Sequence, residues 1–185
     1  MSAWDESCDF LVIGSGAASV IAALVAKQAG RRPLVLEKTE LLGGSTALSG
    51  GVLWVPNNPV ILRAGVPDSD SAARTYLDAC VGDVGPASSR ARRDTFLREG
   101  PRAVAFLESL GMKFMHAAGY ADYHEGELPG GLAQGRSIVA PIFDMRELGD
   151  WAPRMRRRVG APPIGMQETA PLTLNGATWH SRVTM

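Results

Sequence analysis

The chain has 185 residues, enough to bury about 70% of its unfolded surface if it folds as one unit. Its 19 basic and 19 acidic side chains give a formal net charge of zero, which excludes a general electrostatic attraction to nucleic acid or to an anionic membrane. Because two cysteines, Cys8 and Cys80, and three scattered histidines provide neither a disulfide framework nor a metal-binding spacing, we expect a cytoplasmic protein without a metal.

The first predicted elements are a strand, a glycine-rich turn and a helix. Residues 9–13 form an apolar, strand-like run, and residues 17–29 place apolar side chains at helical spacing. Between them Gly14 can take a tight turn, and Gly16 has no Cβ to keep a ligand from the backbone. The unpaired amides and the positive dipole end of the helix suit a pyrophosphate. Ser19 stands at the third glycine position of this dinucleotide-binding pattern and departs from it.

Glu37 follows the second predicted strand, residues 34–36, where dinucleotide-binding folds place a carboxylate that accepts hydrogen bonds from ribose hydroxyls. A surface charge at a strand end is the simpler alternative for Glu37 alone. The order of strand, glycine turn, helix, strand and acid favours the nucleotide site.

The uncharged segment 10–26 is at the lower limit of a membrane span and follows acidic residues, so we expect neither a membrane helix nor a signal peptide.

A glycine-rich stretch over residues 43–51 carries three hydroxyl side chains. Such a backbone can lie flat against a planar ligand, and a flexible loop is the alternative. The segment 52–55 that follows looks buried, which favours an ordered stretch. Residues 56–59 then predict a turn.

The rest of the chain predicts helices and short strands. The helix over 69–81 opens with a Ser/Asp cap and carries Ala73, Tyr76, Leu77 and Cys80 on one stripe. The arginines of the next helix indicate a solvated face rather than a binding patch. The elements that follow are a helix over 87–99, a helix from Pro101 to near Gly111, a strand at 112–115, a loop over 117–135, a strand-like run over 136–143, a helical run over 144–158 and a segment of little periodicity from Val159.

The first 51 residues resemble the FAD-binding domain of the fumarate reductase/succinate dehydrogenase flavoproteins. Residues 43–58 are more specifically similar to the 3-ketosteroid dehydrogenases, which oxidise ring A of 3-oxosteroids. Residues 119–124, 129–131 and 135–136 fit the same branch. The resemblance covers roughly residues 5–150. It implies an α/β fold, a Rossmann-like βαβ FAD-binding domain of the glutathione-reductase type, incomplete and with a helical insertion.

The resemblance also implies a domain organisation. Residues 1–150 would be the N-terminal portion of the FAD-binding domain, and residues 151–185 a truncated connecting segment toward a missing substrate domain. Members of the family are much longer, and their principal base tyrosine and the groups that polarise the 3-carbonyl have no counterpart here. We therefore expect no turnover from this chain alone, and a complementing chain that carries the missing domains is one candidate partner.

The resemblance assigns roles to individual residues. Gly14, Gly16, Ala17 and Ala18 would hold the pyrophosphate of FAD, with Ser15 between them as a further cofactor-binding residue. Glu37 would bind the ribose, and Lys38, Gly43, Gly44, Ser45, Thr46, Ala47, Ser49, Gly50 and Gly51 would line the cofactor out to the isoalloxazine ring. In the steroid pocket Tyr123 would be a catalytic residue that supports the proton-abstracting tyrosine. The resemblance implies a mechanism in which a base takes a proton beside the 3-carbonyl while flavin N5 accepts a hydride from the adjacent carbon.

Several functions remain open at this point. The leading one is a FAD-dependent oxidoreductase whose small-molecule substrate is a 3-oxosteroid or a related enone or unsaturated acid. A flavoprotein of the fumarate reductase type is the first alternative, and a non-catalytic remnant or interaction module is the second. A nicotinamide-binding Rossmann protein is the third, and the glycine-rich stretch over 43–51 argues against it.

Overall fold

The computed structural model describes residues 4–157. These residues form two compact units: residues 4–50 together with 144–157 make the first unit, and residues 51–143 make the second. The predictions made from Val159 onward lie outside the described residues, and the boundary predicted at residue 150 stays a prediction. Within the described part, no helix combines the length and the apolar character needed to cross a bilayer.

The first unit contains a βαβ element. Strand β1 (Phe10–Ile13) leads into helix α1 (Ala17–Gln28), which leads into strand β2 (Pro33–Leu36). The two strands pair in parallel, with Phe10 opposite Pro33 and Ile13 opposite Leu36. Parallel neighbours need a crossover connection, and α1 supplies it by packing on both strands. The predicted strand, helix and strand are therefore confirmed, each within one or two residues of its predicted bounds.

The segment 144–157 completes the first unit in a form that differs from its prediction. It contains a 3₁₀ stretch, Met145–Arg154, rather than one continuous helix over 144–158, whose last residue lies outside the described range. Gly149 takes a non-helical conformation with φ 51° and ψ −127°, which divides the stretch into two short turns. Beyond it Met155 forms a parallel bridge with Leu42, so this segment lies alongside the chain that follows β2.

The second unit is built around a three-stranded antiparallel sheet in the order β3-β5-β4. Its elements are β3 (Val52–Trp54), α2 (Pro59–Arg63), α3 (Asp70–Val81), α4 (Arg90–Ser109), β4 (Met115–His116) and β5 (Ser137–Val139), with a 3₁₀ turn at Pro86–Ser88. The core is apolar and consists of Val55, Val60, Ile61, Val66, Val104, Phe114 and Ile138. Helix α3 confirms its prediction, including the cap, because the Ser69 hydroxyl accepts a hydrogen bond from the Ala72 amide at 3.2 Å.

Two predictions for the second unit are wrong. The helices expected on either side of residue 100 form one helix, α4, which runs through Pro101. Proline removes a single amide, and the buried side chains of Leu97 and Val104 hold the helix to the core on both sides of that gap. The strand β3 is also less buried than expected, since Val52 and Leu53 are exposed and only Val55, just after it, is buried.

The turn predicted at 56–59 is present at residues 56–57, and a short helix begins directly after it at Pro59. Asn58 is fully buried and caps α2, because its Oδ1 accepts hydrogen bonds from the amides of Val60 and Ile61 at 2.9 and 3.1 Å. Pro59 at the first helical position adds a preset backbone angle and needs no hydrogen-bond partner for its nitrogen. This cap fixes the entry of the chain into the core of the second unit.

Candidate cofactor site

The turn between β1 and α1 is tied to the end of β2. Gly14 lies in the left-handed region with φ 90°, and its amide donates to the carbonyl of Leu36 at 2.6 Å. This conformation favours glycine, and it lets the chain reverse directly from the strand into the helix. The residue after Leu36 is Glu37, so the bond brings the predicted ribose carboxylate beside the turn.

Glu37 and Ser15 are joined by two hydrogen bonds. The Ser15 amide and the Ser15 hydroxyl both donate to Oε2 of Glu37, at 3.1 and 2.5 Å. The amide of Thr39 donates to the other carboxylate oxygen, Oε1, at 3.1 Å. Each oxygen of the carboxylate is therefore held from a different side, which fixes the plane of the group at the turn.

These hydrogen bonds lower the pKa of Glu37 from 4.5 to about 2. The hydroxyl of Ser15 is the largest cause, followed by the amide of Thr39, and partial burial opposes both. Glu37 is therefore ionised at neutral pH and can only accept hydrogen bonds. Ribose hydroxyls are donors, so the charge state of Glu37 matches that ligand.

The lowered pKa predicts how stability depends on pH. A carboxyl with a folded-state pKa below its unfolded value stabilises the fold above pH 4.5, and this contribution is lost as the pH falls toward about 2. Urea unfolding of the wild type and of Glu37→Gln at several pH values measures this contribution of Glu37 to the free energy of unfolding. We expect the difference in unfolding free energy between the two proteins to narrow steadily across this window. A constant difference would contradict the lowered pKa.

The glycine-rich stretch packs against the same turn. The amide of Gly43 donates to the Ser15 hydroxyl oxygen at 2.9 Å, and the amide of Ala17 donates to the hydroxyl oxygen of Thr46 at 3.1 Å. A Cβ on Gly43, where φ is 103°, would lie only 2.6 Å from the Cβ of Ala47. Glycine at this position is therefore needed for the close approach, and the first half of the stretch is an ordered wall of the site.

The N-terminus of α1 faces the site without an acidic side chain. Gly16 is the N-cap and has no side chain to accept a bond from the helix, and the first turn contains no acidic residue. Such an end attracts an anion through its amides and its dipole. Ser19, at the third glycine position, turns its hydroxyl back to the carbonyl of Ile13 at 3.3 Å, so it is accommodated within the turn.

The sequence matches the family described as FAD binding domain over residues 9–183. The chain belongs to this FAD-binding domain family. The chain is similar to the 3-oxosteroid 1-dehydrogenase of Mycolicibacterium smegmatis, with 42% identity over 162 residues. This alignment covers 87% of this chain and 28% of that protein. The chain is also similar to the 4-oxocyclohexanecarboxylate 2-dehydrogenase of Sinomonas cyclohexanicum, with 38% identity over 86% of this chain and 27% of that protein.

A solved structure is similar to the same FAD-binding domain. The crystal structure of 3-ketosteroid delta1-dehydrogenase from Sterolibacterium denitrificans, in complex with 1,4-androstadiene-3,17-dione, matches with a TM-score of 0.83 and 29% identity. The match covers 96% of this chain and 31% of that one, so the chain spans less than a third of the length of these relatives. The comparisons confirm the predicted α/β FAD-binding fold, FAD as the cofactor, and the resemblance to 3-ketosteroid dehydrogenases.

The structure brings most of the predicted cofactor residues of the FAD-binding domain together. Those held at the turn by hydrogen bonds are Gly14, Ser15, Ala17, Glu37, Gly43 and Thr46. Gly16 and Gly44 lie close together there, because a Cβ on Gly44 would come within 3.6 Å of the Cα of Gly16. Ala18 lies in the first turn of α1, and Ala47 belongs to the 3₁₀ turn Thr46–Leu48. Lys38, Ser45, Ser49, Gly50 and Gly51 are exposed, and Gly51 is the first residue of the second unit. Direct contact of any of these residues with the cofactor stays a prediction.

Tyr123 lies in the second unit of the FAD-binding domain and is fully exposed, at 100%. The loop that carries it is anchored on both sides of the tyrosine. Asp122 accepts a hydrogen bond from the indole of Trp54 at 2.8 Å, and the amide of His124 donates to the buried hydroxyl of Tyr76 at 3.1 Å. The backbone at Tyr123 is thus held in place while its ring stands in solvent, and its catalytic role stays a prediction.

The anchor of this loop is a buried ionic network that the sequence analysis did not find. The guanidinium of Arg136 is fully buried and binds both oxygens of Asp68, at 2.9 and 3.0 Å, and an oxygen of Asp122. It also lies over the rings of Trp54 and Tyr76, at 5.8 and 5.5 Å from their centroids. In the sequence Arg136 is a lone arginine at the start of an apolar run, and its segment 135–136 shows only a resemblance to the 3-ketosteroid dehydrogenases. Its partners lie too far along the chain for spacing to identify them.

Proposed function

We propose that this chain is the FAD-binding part of a flavin-dependent dehydrogenase whose substrate is a 3-oxosteroid. The observation that carries the cofactor assignment is the ionised Glu37, held by Ser15 in the turn between β1 and α1. A carboxylate at this position serves the ribose of a dinucleotide, and the ordered glycine-rich stretch beside it supplies a second wall. Membership of the FAD-binding domain family and the names of the relatives support FAD over nicotinamide.

Each part of the site would bind a different part of the cofactor. The amides at the start of α1, at Gly16 and Ala18, would bind the pyrophosphate, and the Ala17 amide would join them by exchanging the Thr46 hydroxyl for a phosphate oxygen. Glu37 would accept hydrogen bonds from the ribose. The stretch from Gly43 to Gly51 would extend along the cofactor toward its ring system. When bound, FAD supplies the hydride acceptor of the reaction. The protein residues fix its position and keep the ribose carboxylate charged.

The substrate class rests on the relatives. One is named for 3-oxosteroids, and another for 4-oxocyclohexanecarboxylate, so both names describe a cyclic ketone. We propose that the substrate is a ketone of this kind. We also propose that Tyr123 supports the base that removes a proton beside the carbonyl. Its solvent-exposed ring on a rigidly anchored loop is accessible to a partner group.

We also propose that the protein is cytoplasmic, since Cys8 and Cys80 are both free thiols.

Titration of the purified chain with FAD tests the cofactor. We expect quenching of flavin fluorescence, an equimolar yellow complex and no comparable binding of NAD⁺. Binding of NAD⁺ in preference to FAD would overturn the proposal in favour of a nicotinamide-binding Rossmann protein. Binding of neither would favour the non-catalytic remnant. Far-UV circular dichroism of each sample establishes that the protein under test is folded.

Reduction of an artificial electron acceptor tests the substrate in the FAD-loaded whole protein that contains these residues. We expect turnover with a 3-oxosteroid, and a lower kcat/KM with 4-oxocyclohexanecarboxylate. The reverse order would assign the protein to the monocyclic substrate, and turnover of fumarate alone would assign it to the fumarate reductase type.

Replacement of Tyr123 by phenylalanine should lower kcat more than it raises KM, because the ring remains and only the hydroxyl is lost.

A further inference from the structure

Ser15 has a buried hydroxyl that joins three segments of the first unit. It is only 8% exposed and lies in the turn between β1 and α1. The hydroxyl donates to Oε2 of Glu37 at 2.5 Å, and its oxygen accepts the amide of Gly43 at 2.9 Å. A hydroxyl has one hydrogen to donate, and in Ser15 that hydrogen is used by the carboxylate.

This arrangement gives Ser15 a different role from its neighbours. We propose that Ser15 is a positioning residue, which holds Glu37 and the glycine-rich stretch in register so that both contact the same nucleotide. Its hydroxyl proton points to the carboxylate rather than to a phosphate, and its oxygen fixes the backbone at Gly43. The inference rests on the proposed FAD binding, and it adds the group that couples the ribose site to the loop.

Hydrogen bonds, rather than the charges of neighbouring side chains, lower the pKa of Glu37. Lys38, next in the chain, contributes through a backbone hydrogen bond, and the Arg156 guanidinium donates to the hydroxyl of Thr39 at 3.0 Å rather than to Glu37. Glu40 directly follows Thr39 and is exposed on the surface. The groups that lower the pKa of Glu37 are all hydrogen-bond donors, with the Ser15 hydroxyl first among them. Removal of that hydroxyl should therefore move the pKa of Glu37 toward its ordinary value.

The test measures the Kd for FAD as a function of pH in the full 185-residue chain and three variants. We expect Ser15→Ala to bind FAD about 10-fold more weakly at neutral pH, since it loses a hydrogen bond to a charged group. We also expect its affinity to fall at a higher pH than that of the wild type during acidification, because Glu37 is protonated earlier. Ser15→Thr keeps the hydroxyl and should restore the wild-type pH profile.

Thr46→Val is the matched control, because it removes a hydroxyl from the same site that contacts Ala17 and not Glu37. It should weaken FAD binding without moving the pH profile. Protonation of FAD itself is common to all variants, so it cancels in the ratio of their Kd values. A Ser15→Ala profile parallel to that of the wild type would overturn the positioning role while leaving FAD binding intact. Failure of the wild type to bind FAD would overturn the proposed function instead.

A direct titration covers the case in which Ser15→Ala does not fold. Carbon-13 NMR of the glutamate carboxyls in the wild-type chain, with the Glu37 signal assigned by its loss in Glu37→Gln, reports the pKa of Glu37. We expect it well below the ordinary value and the signal to respond to FAD. An ordinary pKa in the folded wild type would show that the Ser15 hydroxyl does not hold the carboxylate, and the positioning role would be wrong.

Discussion

Replacement of Arg136 by methionine is expected to lower the free energy of unfolding by about 3–5 kcal/mol. The side chains of Arg136, Asp68 and Asp122 are all 0% exposed, and the guanidinium is the cation that binds both carboxylates. Methionine fills a similar volume but leaves two negative charges buried without it. The cost of an unpaired buried charge exceeds the packing that methionine restores. Urea unfolding followed by circular dichroism measures the loss.

Arg63→Met is the control for this prediction. Arg63 pairs with Glu108, but their side chains are 59% and 22% exposed, so solvent screens the pair. We expect a loss within about 1 kcal/mol. The triple variant Asp68→Asn, Asp122→Asn, Arg136→Met should recover part of the stability, because it removes the charges together. Equal losses for Arg63→Met and Arg136→Met would contradict a stabilising role of the buried network.

The βαβ element could be predicted because its local signals agree. The apolar run before Gly14, the helical spacing after Gly16 and the short second strand each indicate the same element without reference to distant residues. The position of Glu37 beside the turn then follows from the parallel pairing of β1 and β2. The hydroxyl bridge from Ser15 could not be predicted, because it depends on the side-chain direction and on the approach of the glycine-rich stretch.

The second unit was less predictable because its decisive contacts are distant in sequence. Proline normally ends a helix, so residue 101 indicated a break, yet burial of Leu97 and Val104 keeps α4 continuous. The close packing of Gly100, where a Cβ would lie 3.0 Å from a methyl of Val55, likewise depends on a remote strand end. Arg136 similarly finds its carboxylates through the fold. Tertiary contacts of this kind leave no periodic pattern in the chain.

The two units illustrate two uses of ionised side chains. In the second unit the Arg136 guanidinium is buried and paired with the carboxylates of Asp68 and Asp122, so these charged groups bind one another within the fold. In the first unit Glu37 is held only by neutral donors, from Ser15, Thr39 and Lys38, and keeps its full negative charge. A carboxylate bound by neutral donors keeps a net negative charge that can attract the hydroxyls of a ligand. This difference is the physical reason for placing ligand recognition at Glu37.

Replacement of Glu37 by glutamine is accordingly expected to weaken FAD binding about 100-fold, since two ribose hydroxyls would each lose a charged acceptor. The amide also has a single acceptor atom, so it cannot serve both Ser15 and Thr39, and the carboxylate side of the turn loosens. Glu40→Gln removes the same charge from an exposed position three residues along the chain and should change the Kd less than about 2-fold. Fluorescence titration with FAD at neutral pH gives both values. Equal weakening in the two variants would mean that only net charge matters, and the ribose assignment of Glu37 would then be wrong.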